Sequence, residues 1–151
     1  LMPTAVLFFM TQIEAGVWNG MSFIRNAGHV LQASSQTPTK QYMGKIFKLP
    51  YQDSSIPFQE YSEKYPHEKY TLGLAGRPGG PDFYISTQDN TRNHGPGGQG
   101  SYDLPAEADS CFAKVVDGFD VVDRLHTDKK NHDSFEGMVE FVEIKEFSLL
   151  L

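Results

Sequence analysis

The chain has 151 residues, and 13 Lys and Arg stand against 19 Asp and Glu, which gives a formal net charge of −6. Nucleic-acid binding requires a concentrated basic surface, so this balance excludes nucleic acid as the main partner and equally disfavours docking on an anionic membrane. A hydrophobic content of 39% is enough for a packed core and excludes global disorder. The single cysteine, Cys111, excludes an internal disulfide and a multi-cysteine zinc cluster.

The first residues predict neither a membrane anchor nor a secretion signal. The longest apolar run, residues 5–10, is too short to span a bilayer, and no basic segment precedes it. We therefore expect no transmembrane span, and the sequence does not indicate a compartment. Because the chain begins with Leu1 rather than Met, the numbering is expected to start inside a longer protein.

The first half of the chain predicts a helix followed by short strands. Pro3 suits a first helical position and Gly16 a helix end, and the apolar face expected between them consists of Val6, Phe9, Met10 and Ile13. Short strands are predicted at residues 21–24, 29–32 and 45–49. Residues 33–40 and most of residues 51–68 are rich in polar residues and proline, so they are predicted to be loops.

The second half predicts further strands and a second helix. The strands are expected at residues 70–75, 82–86, 110–115 and 139–147, the last with a bulge at Phe141 and Val142. Residues 87–109 are expected to form a long loop, which is typical of functional segments. Residues 118–125 predict a helix that turns Phe119, Val122 and Leu125 inward. With no internal repeat, residues 1–151 are predicted to form one mainly β domain with two helices.

Three motifs occur in a fixed order along the chain. They are WNGMSFIR with HVLQ at residues 18–25 and 29–32, LGLAG with DFYI at residues 72–76 and 82–85, and CFAKVVDGFDVV at residues 111–122. In sequence and order these motifs resemble the cyclophilin family of peptidyl-prolyl cis-trans isomerases. The spacing between Arg25 and Gln32 is one residue shorter than in the family, and the turn after Gly76 is also shorter.

The resemblance implies a closed antiparallel β-barrel, with eight strands in the family, capped by two α-helices. In the family an N-terminal hairpin precedes the first helix, whereas here the predicted helix begins at residue 3. We therefore expect the first two family strands to be missing from this chain, or an upstream segment to complete the barrel. A barrel without them would expose unpaired strand edges, which natural proteins avoid.

The resemblance also implies a catalytic role for one arginine. The barrier to prolyl isomerisation, about 18–20 kcal/mol, arises from amide resonance, and a catalyst must bind the twisted amide more tightly than the planar one. In the family an arginine donates a hydrogen bond toward the prolyl nitrogen, and Arg25 stands at that position. The alternative interpretation is a strand arginine that forms an ion pair or points to solvent.

Around Arg25 the substrate-binding positions match the family only in part. Gln32 and Ala75 keep the family identities and are expected to bind the substrate backbone. Gly76 replaces an Asn at one substrate-binding position, and Asp82 replaces a Gln at another. Asp82 either draws Arg25 away from the amide or holds it in place.

The proline pocket, apolar in the family, changes most. Carried over by position, its floor becomes His29, Val30, Tyr84 and Pro105. Leu104 falls near the family tryptophan and Asp109 near the family histidine, so the resemblance implies that both bind substrate. Because Leu104 stands in place of the tryptophan, weak binding of cyclosporin is expected. A more polar floor predicts reduced or absent isomerase activity, since lost transition-state binding lowers the rate exponentially.

Other chemical signals are weaker. The histidines lack metal-ligand spacing, so no metal or other cofactor is expected. Two glycine-rich stretches, residues 76–80 and 95–100, lack the lysine of a phosphate-binding loop and are interpreted as turns. In the family fold both would lie beside the substrate groove, where His94 is expected to supply replacement contacts. Cys111 is interpreted as a small buried hydrophobe.

Three functions remain open on this basis. The first is a domain that binds X-Pro segments of a peptide or protein partner and catalyses or assists their isomerisation through Arg25. The second is an inactive peptide-binding module of the same fold, favoured by the altered pocket. The third is a structural or accessory domain of a larger chain, favoured by the missing hairpin and the start at Leu1.

Overall fold

A computed structural model describes residues 1–38, 55–77, 79–99, 107–128 and 137–150. The predicted strand at residues 45–49 lies outside the described residues, as do Leu104 and Pro105. The described elements are, in chain order, α1 (Pro3–Glu14), β1 (Met21–Asn26), β2 (Val30–Pro38), β3 (Thr71–Leu74), β4 (Phe83–Ser86), α2 (Thr91–His94), β5 (Cys111–Lys114), α3 (Phe119–Thr127) and β6 (Gly137–Glu143).

The strands form a six-stranded sheet in the order β5-β3-β4-β2-β1-β6. Every pairing between neighbours is antiparallel. The predicted mainly β, antiparallel architecture with helices is therefore confirmed. Within the described ranges β5 and β6 are the outermost strands, and closure of the sheet into a barrel stays a prediction.

Helix α1 covers one side of the core, but with a different face from the predicted one. Its buried residues are Ala5, Phe9, Gln12 and Ile13. Val6 and Met10 are 37% and 38% exposed, so the prediction was right for Phe9 and Ile13 and wrong for these two. The polar Gln12 takes an inward position because its amide Nε2 donates to the carbonyl of Pro81 at 3.0 Å. A hydrophobic pattern assigns such a residue to the solvent side.

The core beneath α1 is built from aromatic rings. Phe83 of β4 packs edge-to-face on the fully buried Trp18, with 4.7 Å between ring centroids. Phe9 lies 5.1 Å from Phe83 and 4.9 Å from Phe112. These rings hold α1 against the centre of the sheet, and the opposite face of β4 is left to carry polar side chains.

Four further differences separate the structure from the sequence prediction. The loop expected at residues 33–40 is wrong through Pro38, because β2 continues to that residue as it pairs with β1. The expected loop at residues 87–109 contains the one-turn helix α2, so the described residues include three helices rather than two. Phe119 is 41% exposed instead of inward, because its ring packs on Tyr70 at the surface, while Val122 is buried as predicted. Strand β6 ends at Glu143 rather than at residue 147. Its pairing with β1 is irregular between Gly137 and Val142, where the register shifts.

No helix in the described part of the chain is long and apolar enough to cross a membrane.

Candidate active site

One row of residues crosses the middle of the sheet. Arg25 is opposite Gln32, Gln32 is opposite Tyr84, and Tyr84 is opposite Gly73. Directly opposed residues of antiparallel strands project from the same face, so the three side chains share one face of the sheet. A Cβ atom on Gly73 would lie 2.3 Å from Cζ of Tyr84, which means that the tyrosine ring lies across the glycine.

Arg25, Gln32 and Asp82 are joined in a chain of hydrogen bonds. Nη1 of Arg25 donates to Oε1 of Gln32 at 3.4 Å. Nε2 of Gln32 donates in turn to Oδ2 of Asp82 at 3.4 Å. The other carboxylate oxygen of Asp82 accepts the backbone N–H of Ser35 at 3.0 Å. The amide of Gln32 thus stands between the guanidinium and the carboxylate, and its orientation is set from both ends.

A second and more deeply buried network centres on Asp109, whose side chain is 4% exposed. Its Oδ2 accepts the hydroxyl of Tyr84 at 2.8 Å and faces Nδ1 of His94 at 2.5 Å. Its Oδ1 accepts Nε of Arg77 at 2.9 Å. The backbone carbonyl of Asp109 lies 3.0 Å from Nε2 of His67. Three side chains therefore converge on one carboxylate in a low-dielectric environment, where such hydrogen bonds are strong.

The buried network shifts the pKa values of Asp109 and Tyr84 in opposite directions. Burial by itself raises the pKa of Asp109, but the hydrogen bonds and charge of His94, together with the bonds from Arg77 and Tyr84, hold that pKa below its usual value of 3.8. Burial, and then the charge of Asp109, raise the pKa of Tyr84 well above 10. Asp109 is thus the stable anion of the cluster and Tyr84 its neutral donor.

His67 makes the folded state sensitive to acid. It is fully buried, and burial lowers its pKa below the ordinary 6.5. The unfolded chain therefore takes up this proton at a higher pH than the folded chain, so the stabilisation is complete above about pH 6.5 and decreases below it. We expect the urea midpoint of unfolding to be lower at about pH 5 than at about pH 7.5. The difference should become smaller in His67→Gln, and an equal pH dependence in both proteins would contradict this assignment.

The short helix α2 brings His94 onto this face of the sheet. The His94 ring lies 4.8 Å from the Tyr84 ring and 5.5 Å from the His29 ring, and it is 5% exposed. Among the described residues, its Nε2 has no hydrogen-bond partner. The start of the helix is fixed by Asn90, whose Nδ2 donates to the carbonyl of His29 at 2.8 Å.

The structure places the remaining predicted site residues as follows. Val30 is buried at 2% exposure, Ala75 is half-buried and Gly76 is exposed. The backbone N–H of Ala75 donates to Asp82, and its carbonyl accepts the N–H of Gly80, so both backbone groups take part in the turn. Leu104 lies outside the described residues.

Sequence reasoning missed two members of the buried network, Arg77 and His67. Arg77 sits in a glycine-rich turn that predicts only a change of chain direction, and His67 lies in a loop 42 residues from Asp109. No local pattern marks either residue, because their partners are brought near only by the folding of distant segments. No group of side chains suitable for holding a metal ion occurs within the described ranges.

These elements define a cyclophilin-like fold, and solved structures agree. The chain is similar to a cyclophilin type peptidyl-prolyl cis-trans isomerase of Cryptosporidium parvum, with a TM-score of 0.65 and 18% identity over 96% of this chain and 82% of the other. A second structure of the Cryptosporidium isomerase, in the presence of the dipeptide Ala-Pro, matches with a TM-score of 0.64 and 18% identity, covering 96% of this chain and 84% of the other.

A family profile identifies the chain more directly. The profile of the family described as cyclophilin type peptidyl-prolyl cis-trans isomerase/CLD matches residues 1–148. The chain therefore belongs to the cyclophilin-type peptidyl-prolyl cis-trans isomerase family. No curated protein sequence matches it.

Proposed function

We propose that this domain binds X-Pro segments of a peptide or protein and catalyses their cis-trans isomerisation, with Arg25 as the hydrogen-bond donor. The observation that carries the proposal is the chain of hydrogen bonds from Arg25 through Gln32 to Asp82. Membership of the family supports the same activity, and the related structure in the presence of Ala-Pro supports a proline-containing partner.

Catalysis of prolyl isomerisation requires a hydrogen-bond donor held in a fixed position near the prolyl amide nitrogen. A hydrogen bond to that nitrogen favours its pyramidal form and weakens the resonance that keeps the amide planar. A guanidinium keeps its charge and presents a rigid fork of donors, so Gln32 can hold one N–H while another faces the substrate. In the proposed site Asp82 orients Gln32, and Gln32 positions Arg25. Asp82 thereby acts as a positioning residue rather than as a competitor for the guanidinium.

The rest of the proposed site surrounds this donor. Ala75 and Gly76 lie at the edge of the face where an extended peptide would run, and His29, Val30 and Tyr84 form the floor. Since the hydroxyl of Tyr84 is bound to Asp109, Tyr84 would offer only its ring to a substrate. Asp109 would act through Tyr84 and His94 without touching the peptide.

Two-dimensional NMR exchange spectroscopy on a proline tetrapeptide tests the proposal. We expect exchange cross-peaks with the wild-type protein and a loss of about 100-fold in the catalysed rate with Arg25→Ala, the usual effect of removing one transition-state donor. Arg124→Ala, which removes an exposed arginine of α3, is the matched control and should exchange like the wild type. Equal rates in wild type and Arg25→Ala would remove Arg25 from the mechanism.

The burial of Val30 and Tyr84, each 2% exposed, favours a second candidate function. This is a peptide-binding module of the same fold that does not accelerate isomerisation. Such a module would shift the peptide resonances without producing exchange cross-peaks. A protein that produces neither effect would instead have the structural or accessory role.

A further inference from the structure

The imidazole of His94 rests on two side chains of the proposed proline subsite. Its ring stacks on His29 with an interplanar angle of 26° and lies 4.8 Å from the ring of Tyr84. The His94 ring also lies 5.5 Å from the ring of the buried His67. Imidazole and pyrrolidine are both five-membered rings, so His94 takes up the kind of space that a proline ring would need.

The side chains of the proposed floor expose almost no surface. Tyr84 and Val30 are each 2% exposed, and His94 itself is 5% exposed. An extended peptide could not bring a proline ring against Tyr84 while the imidazole stays in place, because packed protein interiors leave no room for a second ring.

We propose that His94 is the chain's own occupant of the proline subsite, so that the site is closed at rest and a proline-containing peptide binds by displacing this imidazole. The inference rests on the proposed function, because it concerns the regulation of the same site. The apparent affinity for peptide is then the intrinsic affinity reduced by the fraction of molecules in which His94 has left.

Displacement of His94 breaks its bond to Asp109 but leaves the other contacts of that carboxylate in place. Asp109 keeps the hydroxyl of Tyr84 and Nε of Arg77 when the imidazole moves away, so its charge is still compensated. Asn90 holds the start of α2 through the carbonyls of His29 and His67, and the backbone carbonyl of His94 accepts the N–H of Asp109 at 2.9 Å, so the displacement is confined to the imidazole side chain. The movement is therefore a rotation of one side chain on a fixed backbone.

The first test is the affinity for a proline tetrapeptide, measured by NMR titration of the wild type and His94→Ala. We expect His94→Ala to bind about tenfold more tightly, as when a mostly closed site becomes open. His126→Ala is the matched control, because His126 is also bonded through Nδ1, to Asn26, but is only partly buried and lies on α3. It should bind like the wild type.

The possible outcomes separate this inference from the proposed function. Equal affinity of wild type and His94→Ala would overturn the inference and leave peptide binding intact. If neither protein binds the peptide, both the inference and the proposed function fail. If only His94→Ala binds, the inference is supported in its strongest form.

A second measurement on the wild-type protein covers the case in which His94→Ala does not fold. Deuterium exchange at Cε1 of the histidine rings, followed by mass spectrometry, reports the exposure of each imidazole. We expect slow exchange at His94 in the free protein and faster exchange with saturating peptide. Peptide binding that leaves His94 equally protected would overturn the inference.

Discussion

Asp109→Ala is expected to lower the free energy of unfolding by about 3–5 kcal/mol, the range measured when one partner of a buried ion pair is removed. The side chains of Arg77 and Asp109 are 10% and 4% exposed, so the substitution leaves a guanidinium without its carboxylate in a dry environment. It also removes the acceptor of the Tyr84 hydroxyl and the partner of His94 Nδ1. Urea denaturation followed by tyrosine and tryptophan fluorescence would measure the change.

Asp123 offers a matched control for this prediction. It also accepts a tyrosine hydroxyl, from Tyr70 at 2.8 Å, and a cation, Lys69 at 2.9 Å, but its side chain is 44% exposed. Water replaces both partners there, so Asp123→Ala should leave the urea midpoint almost unchanged. Similar losses in the two variants would show that burial does not govern the Asp109 network.

A double variant separates the cost of an unpaired charge from the value of the pair itself. Replacing Arg77 and Asp109 together by Met and Leu removes both charges and fills the space with apolar atoms. Buried ion pairs replaced in this way often lose little stability. We therefore expect the double variant to recover the part of the loss that comes from the unpaired guanidinium, while the part that comes from the Tyr84 hydroxyl and His94 Nδ1 remains. A stability below that of Asp109→Ala would contradict this account.

Phe83→Ala is expected to have an effect of similar size through packing alone. Its ring is 1% exposed and touches the rings of Phe9, Trp18 and Phe23 at centroid distances of 5.1, 4.7 and 5.9 Å. Truncating such a ring removes its burial and leaves a cavity, which costs about 3–5 kcal/mol. The loss should appear as a lower urea midpoint with an unchanged slope.

Phe141 is the matched control for Phe83, since it is also a strand phenylalanine but 47% exposed. Phe141→Ala should change stability by no more than about 0.5 kcal/mol. If Phe83→Ala proved equally mild, the aromatic cluster would not be the main support of the sheet. Because Phe83 and Tyr84 are consecutive in β4, its loss should also disturb the Tyr84–Asp109 bond on the other face.

The two hydrogen-bond networks give the candidate site its internal order. Tyr84 and Asp109, which the sequence resemblance places at a phenylalanine position and near a histidine position of the family, are joined by a hydrogen bond of 2.8 Å. His94, from the segment between β4 and β5, then packs on the same tyrosine. The buried hydroxyl of Tyr84 thus has an acceptor supplied by a distant segment of the chain.

Local pattern was sufficient for the elements that have a strong signal of their own. Helix α1, the strands around Arg25, Tyr84 and Cys111, and helix α3 were predicted near their observed bounds, because periodicity and turn residues act over a few positions. The predicted burial of Cys111 is confirmed, and burial raises its thiol pKa to about 11. The order of the three motifs likewise indicates the family, which the family profile confirms.

Only the tertiary structure decided which way side chains turn and which distant groups meet. Val6 and Met10 fit the helical pattern yet face solvent, while Gln12 is buried because Pro81 offers it an acceptor. His94 and Asp109 meet through a side-chain bond that nothing in their local sequence predicts, and Arg77 and His67 join them from still farther away. The sequence alone determined the family, most of the strands and helices, and the position of Arg25. The buried network around Asp109 depends on long-range packing, which no local pattern encodes.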